Sequence, residues 1–263
     1  MKISHWKFES VLMQKWQGDV WIVRDHRGRR GYFKSFMGKN KLFVGTLVAN
    51  EYIAATLAQR LGFPCARLEM ANVKGPDGIM KTGLISVEAS AREVFPWSHA
   101  NHRIKSSPHK YLEGIQTLKT LVVFDAWIAN IDRGTGENII LYRTRPYGKY
   151  HWYLIDHGLS LYGSSFKWRK ALWTSPMWDK LWIYSYVPRG LLRLQSNSAA
   201  LSAMIRRIEA FTVSDINKAI ASVPPGYINH LEKSYIRNIL LHRKKRLRYM
   251  IRLWLNYKGR KEF

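Results

Sequence analysis

Two short stretches carry residues of a kind and spacing that suit phosphoryl chemistry. Ile131-Asp132-Arg133-Gly134-Thr135-Gly136-Glu137-Asn138 sets an aspartate and an asparagine in one glycine-containing loop, and Leu154-Ile155-Asp156-His157-Gly158 sets a second aspartate at a strand end before glycine. Asp132 is placed to accept a hydroxyl proton or to orient it for in-line attack. Asn138 and Asp156 offer hard oxygen ligands at adjacent strand ends, which suits Mg²⁺ bridging nucleotide phosphates. Upstream, Lys34 lies in Gly31-Tyr32-Phe33-Lys34-Ser35-Phe36, and Glu51 lies 17 residues on in Asn50-Glu51-Tyr52-Ile53. A strand lysine paired with a helix glutamate directs its ammonium toward phosphates. Singly, each is ordinary: a lysine is usually at the surface, and an Asp-to-Asn spacing is usually an Asx turn. Together and in this order, the five point to a small kinase-like enzyme.

Other residues near these stretches keep two readings. Arg133 either pairs with the loop's acids or phosphate, or makes a structural salt bridge; His157 either tunes or covers the metal carboxylate, or is a satisfied structural histidine. The turn from Gln14 to Asp19 is the natural cover for nucleotide phosphates, with Gly18 its single glycine. Ser86-Val87-Glu88 is the expected adenine-side connector, acting through backbone groups.

The elements that must hold these residues follow from periodicity. Alternation predicts strands over Phe8 to Met13, Val20 to Arg24 and Gly31 to Phe36, then a helix over Thr46 to Leu61 rich in alanine and stopped by Gly62 and Pro64. Lys34 falls on the strand face of Tyr32 and Phe36, away from Phe33. Two further strands, Arg67 to Val73 and Thr82 to Val87, flank a Gly75-Pro76-Asp77-Gly78 turn. Polar residues 96 to 109 read as a connection, Tyr111 to Ala129 as one helix, and Asn138 to Tyr142 with His151 to Ile155 as strands. Helices are expected over Ser198 to Ala210, Ser214 to Val223 and Tyr227 to Tyr257. The sum is an α+β, two-lobed architecture: a nucleotide-binding lobe over residues 1–90, a helical catalytic lobe over 91–263, and ligand between them.

The 263 residues, 46% hydrophobic, suffice for such a domain. No apolar run is long enough to span a bilayer, and Met1 to Ser10 has no apolar signal region, so a cytoplasmic protein is expected. Cys65 is the single cysteine, which rules out an internal disulfide; it reads as a small buried hydrophobe. The formal net charge is +25, a field that attracts polyanions. Arg237 to Phe263 carries ten Lys or Arg against Glu262 alone, and is the candidate surface for nucleic acid or another anionic partner. The bland reading is a solvated helix face, since Ile236, Leu240, Leu247, Ile251 and Trp254 recur near helical spacing.

At four places the chain resembles the HipA-like protein kinases, a branch of the kinase fold with affinity to phosphatidylinositol 3- and 4-kinases. They are Phe33-Lys34; Asn50-Glu51-Tyr52-Ile53-Ala54-Ala55 with Leu61-Gly62-Phe63-Pro64; Trp127-Ile128-Ala129-Asn130-Ile131-Asp132-Arg133; and Leu154-Ile155-Asp156-His157-Gly158. The resemblance implies ATP- and Mg²⁺-dependent phosphorylation of a hydroxyl, with serine or threonine of a protein substrate first in line. It implies Lys34 on the α/β-phosphates, Glu51 as its partner, Asp132 as base, and Asn138 plus Asp156 on metal. Better-known members are toxins that phosphorylate aminoacyl-tRNA synthetases. The step from Asp132 to Asn138 is six residues, one longer than is usual in kinases, which keeps Glu137 open as a sharer of the metal role. The Gln14 to Asp19 turn has no serine or threonine, so regulatory phosphorylation there is not expected. No extension precedes the kinase-like core, so the toxins' partner-binding region is expected to be missing. Two alternatives remain: a lipid or small-molecule kinase at a membrane surface, and a weakly active kinase-fold module that binds polyanions.

Overall fold

The computed structural model describes residues 5–15, 18–35, 46–161, 163, 174–176, 178–180 and 187–257. Five strands form an antiparallel sheet in the order β1-β2-β3-β5-β4: β1 Trp6–Lys15, β2 Gly18–Asp25, β3 Arg30–Ser35, β4 Arg67–Lys74 and β5 Met80–Val87. Along β3 burial alternates, so Gly31, Phe33 and Ser35 face inward while Tyr32 and Lys34 share the other face, as the pattern predicts. Phe33 packs with Trp6, Trp21, Val23, Ala71, Val73 and Ile85 into a small core of its own.

Helix α1, Leu47–Arg60, crosses between β3 and β4. It is buried nearly all round, through Ala49, Ile53, Ala54, Leu57 and Ala58, and these residues belong to the main core together with Phe124, Trp127 and Leu240. Small residues let it sit that deep while keeping high helix propensity. The helix thus serves two masters, and a polar residue on it is held from both sides.

A second sheet, in the order β6-β7-β8, joins Glu93–Pro96, Ile139–Arg143 and His151–Leu154. The polar stretch 96–109 is more than a connection. It begins in β6, passes a 3₁₀ turn at Trp97–His99, and forms α2, His102–Ser106, capped by Asn101, and α3, Pro108–Tyr111. Its few apolar residues, Trp97 and Ile104, are buried, and polar neighbours masked that signal in the sequence. The single helix expected over Tyr111 to Ala129 is broken into α3, α4, Ile115–Leu118, and α5, Leu121–Trp127. Leu112 is extended and Gly114 left-handed, because this segment bonds to Tyr150: Tyr150 N donates to Tyr111 O at 2.8 Å and Glu113 N to Tyr150 O at 2.9 Å. A tertiary strand-like pairing overrides helical periodicity there.

Three helices follow: α6 Ser198–Glu209, α7 Val213–Ala221 and α8 His230–Asn256. Capping boxes open α7, at Thr212 and Asp215, and α8, at Asn229 and Glu232. The buried stripe of α8 is Ile236, Ile239, Leu240, Arg243, Leu247, Met250, Ile251 and Trp254. Arg243 therefore occupies a core position and is not part of a solvated basic face. Among the described residues no helix is long and apolar enough to cross a membrane.

Candidate active site

The site is assembled where the two sheets meet α1. Lys34, on β3, reaches Asp156 Oδ1 at 2.7 Å and Glu51 Oε1 at 3.3 Å, so its ammonium bridges two acids. Glu51, in the second turn of α1, is 2% exposed, Lys34 is 21% exposed and Asp156 36%, which leaves Asp156 as the most accessible of the three. Burial works against the charge on Lys34, but the carboxylates of Asp156 and Glu51 outweigh it and raise its pKa. Burial likewise opposes charge on Glu51; the Lys34 ammonium and hydrogen bonding from His157 outweigh it and hold that carboxyl well below its usual range. Lys34 and Glu51 are thus both charged at neutral pH.

His157 resolves toward structure. Its backbone N–H donates to Glu51 Oε2 at 2.7 Å, its ring is 2% exposed with Nδ1 3.6 Å from the same oxygen, and it meets Phe124 edge-on. Asn50, next to Glu51, is fully buried and its Nδ2 lies within 2.9–3.1 Å of the carbonyls of Gly158, Ser160 and Gly163. Thr46 Oγ1 also donates to Gly163 O at 2.9 Å. One helical turn therefore clamps the segment after Asp156, while Asp156 itself takes a left-handed backbone, φ +54°, that only a supported residue holds.

The loop after α5 is pinned from below by a buried ion pair. Arg133 is 5% exposed; its Nε lies 3.2 Å from Asp125 Oδ2, and its Nη1 donates to Asn138 O at 2.8 Å and Ile155 O at 3.4 Å. Asn130 Nδ2 donates to Asp125 Oδ1 at 2.9 Å, and the Asp132 N–H donates to Asn130 Oδ1 at 3.2 Å. Arg133 is thus a structural brace, the second of its two sequence readings. Asp132 rests on Asn138, whose Nδ2 donates to Asp132 O at 2.6 Å and Oδ2 at 3.2 Å. Burial pushes the Asp132 carboxyl above its ordinary pKa and the nearby Asp156 charge adds to this, against Asn138, Arg133 and Lys34.

In this six-residue step Asn138 lies against Asp132. Ile155 N donates to Asn138 O at 3.2 Å, which seats Asn138 beside the segment that carries Asp156, whereas Glu137 is exposed. Within the loop Gly136 is left-handed at φ +79°, and a Cβ there would lie 2.8 Å from Trp97 Cδ1. With Asn138 Nδ2 committed to Asp132, its Oδ1 and the Asp156 carboxylate are the hard oxygen donors that a divalent ion would find here. Among the described residues no three His, Cys, Asp or Glu side chains cluster as a metal cage.

The remaining expected residues are more distant in role. Gly18 opens β2 opposite Lys15, and residues 16–17, the heart of the expected phosphate cover, lie outside the described residues, as does Phe36. Asp19 pairs with Lys81 at 3.3 Å. Ser86 and Val87 end β5, and Ser86 is buried. The Glu88 side chain has a partner of its own: Tyr32 Oη donates to it at 2.5 Å, and Arg30 lies at 3.8 Å. Cys65 bridges to Leu154, and burial raises its thiol pKa to about 12, as fits an inert thiol.

Sequence reasoning gave no role to Asp125, Asn130, Asn50 or Thr46. The signal for Asp125 was an acid within the apolar run Leu121-Val122-Val123-Phe124-Asp125-Ala126-Trp127, which cannot be buried without a partner such as Arg133.

A profile of HipA-like kinases matches residues 32–172, more than half of the 263-residue chain. The chain belongs to the HipA-like kinase family. Among solved structures, this HipA-like kinase is similar to the proinflammatory kinase CtkA of Helicobacter pylori, at 13% identity over 94% of both chains and a TM-score of 0.57. It is also similar to the Golgi casein kinase with Mn/ADP bound, at 9% identity, 98% of this chain, 74% of that one and a TM-score of 0.50. At these identities the likeness is one of fold: the two-lobed protein-kinase-like architecture expected from the sequence. A search of curated proteins found no match.

Proposed function

We propose that this HipA-like kinase transfers the γ-phosphate of ATP, with Mg²⁺, to a serine or threonine hydroxyl of a protein substrate in the cytoplasm. The observation that carries the reading is the convergence of Lys34, Glu51 and Asp156 on one ammonium, beside an Asp132 held by Asn138. A neighbour of the same fold was solved with Mn/ADP bound, which supports a nucleotide and a divalent ion as cofactors. The lobes would divide near residue 90, between β5 and β6.

Bound ATP and Mg²⁺ supply the phosphoryl group and neutralise charge on its oxygens. Asn138 Oδ1 and the Asp156 carboxylate would hold the ion. Lys34, kept charged and oriented by Glu51, would contact the α/β-phosphates, so its link to Asp156 is the contact that nucleotide would reorganise. Asp132, with a raised pKa, would take the proton as the acceptor oxygen attacks the γ-phosphorus and the bond to the β-phosphate oxygen breaks. Gly18 and the Ser86-Val87-Glu88 connector would border the nucleotide through backbone groups.

The test is incubation with γ-labelled ATP and Mg²⁺, alone and with cell extract, beside Asp132→Asn. Label on the protein or on an extract component, absent with the variant, is expected. Full labelling by the variant would refute the assigned base, and nucleotide binding without label from either protein would refute phosphoryl transfer.

A further inference from the structure

A cleft of about 770 Å³, apart from Lys34, Asp132 and Asp156, opens between α2 and α3 on one side and residues 189–197 on the other. Its charged lining is of one sign: Lys105, Lys119, Arg189 and Arg193, with His102 and His109, and no carboxylate among the described residues. Lys105 Nζ donates to Ser98 O at 2.6 Å and Lys119 Nζ to Gln116 Oε1 at 2.9 Å, so both ammonium groups are fixed by neutral acceptors and not by a carboxylate. Arg189 and Arg193 are exposed and make no ion pair among the described residues. Four cations around one concavity repel each other, and two open guanidinium forks match carboxylate or phosphate oxygens.

The cleft is joined to the catalytic loop by one side chain. Trp97 Nε1 donates to Arg189 O at 2.9 Å, and a Cβ on Gly136 would lie 2.8 Å from Cδ1 of the same indole and 3.4 Å from Pro188 Cβ. Gly190, left-handed at φ +85°, packs so closely on Lys105 that a Cβ would collide with its carbonyl oxygen. The wall is thus a packed feature of the fold, one indole away from the loop that carries Asp132 and Asn138.

We propose that this cleft is a docking subsite for acidic side chains, carboxylate or phosphoserine, that flank the target hydroxyl in the protein substrate. The volume suits a few side chains, and its cations ring a concavity instead of running along a stripe, which favours a peptide over a nucleic-acid backbone. The substrate assignment rests on the kinase reading above; the binding of anions in the cleft does not.

The experiment is fluorescence anisotropy without ATP. A short labelled peptide with one serine among Asp and Glu is compared with a phosphoserine copy, an Asn/Gln copy and a single-stranded oligonucleotide of equal charge. Each is titrated with wild type, with Arg189→Ala/Arg193→Ala, and with Lys7→Ala/Lys74→Ala, which removes two exposed cations from the first sheet. The acidic peptides should weaken about tenfold or more with the cleft variant and less than about twofold with the other, and the neutral copy should not bind. A larger loss for the phosphoserine copy would name phosphate as the preferred anion, a larger loss for the Asp/Glu copy carboxylate. Arg189→Lys/Arg193→Lys should restore part of the affinity. Equal loss in both alanine variants, absence of acidic-peptide binding, or a larger cleft-dependent loss for the oligonucleotide would overturn the assignment. Cleft-dependent binding by a protein that never labels would refute the kinase reading alone; labelling without it would refute the subsite alone.

Discussion

At the level of single residues, the candidate site is a set of opposed electrostatic choices. The Asp132 carboxyl is raised by burial and by Asp156, while that of Glu51 is lowered by Lys34 and His157 against its burial, although both are acids of one site. A base must be deprotonated to act, so a raised pKa moves the loss of activity to higher pH than an ordinary aspartate would give. The acid limb of kcat/KM is expected above the usual Asp value of 3.8, and Asp132→Asn should remove phosphoryl transfer at every pH while nucleotide affinity stays within a few-fold. A limb at or below the usual value would contradict Asp132 as the titrating group. Beneath it, the Asp125–Arg133 pair is buried on both sides, with side-chain exposures of 9% and 6%. Removing either partner strands the other, so Arg133→Met and Asp125→Asn should each cost roughly 3–5 kcal/mol in urea unfolding, and the double variant clearly less than their sum. Simple additivity would show that the two do not act as a pair.

At the level of elements, α1 couples the first sheet to the rest of the protein through Glu51 and Asn50. Because the folded pKa of Glu51 lies below its unfolded value, its contribution to stability is present above the ordinary Glu value of 4.5 and is lost as pH falls through the lower folded value. Glu51→Gln should therefore melt below wild type at neutral pH, and the gap should narrow as the pH is brought below 4.5. A gap that stays constant into acid would mean that Glu51 gains nothing from its charge. The first sheet and α1 were legible because β-alternation and an alanine-rich run each have one natural partner, and Lys34 and Glu51 were legible with them. Asp132, Asn138 and Asp156 were found by motif and order; their proximity rests on the pairing of β7 with β8, which local pattern suggests. What the sequence hid is non-local: the break at Leu112–Gly114 comes from Tyr150, and the buried Trp97 meets residues 136 and 189. Periodicity cannot see a partner tens of residues away.

At the level of the whole protein, the net charge of +25 is spread unevenly in purpose. On α8, Arg246 pairs with Asp179 at 2.5 Å, Arg248 with Glu209 at 2.5 Å, and Lys244 Nζ donates to Phe211 O at 2.7 Å. Much of the basic segment read as a partner surface is thus spent within the fold, and residues 258–263 lie outside the described residues. Arg243 goes further: it is 1% exposed, and its Nε and Nη2 donate to Ala126 O at 2.8 and 2.5 Å, while Trp127 Nε1 donates to Leu240 O at 3.0 Å. The cation caps the carbonyl end of α5, where helix dipole and unpaired carbonyls favour it. Arg243→Ala should lower stability by about 2–4 kcal/mol in denaturant and depress phosphoryl transfer with it. Unchanged transfer in the folded variant would show that α5 holds the loop unaided. The Arg243 contact also sets a schedule during synthesis. The helix that leads into the Asp132 loop is complete by Trp127, yet these bonds at its end come from a residue made more than a hundred positions later, so a nascent chain cannot form them until α8 has left the ribosome and docked.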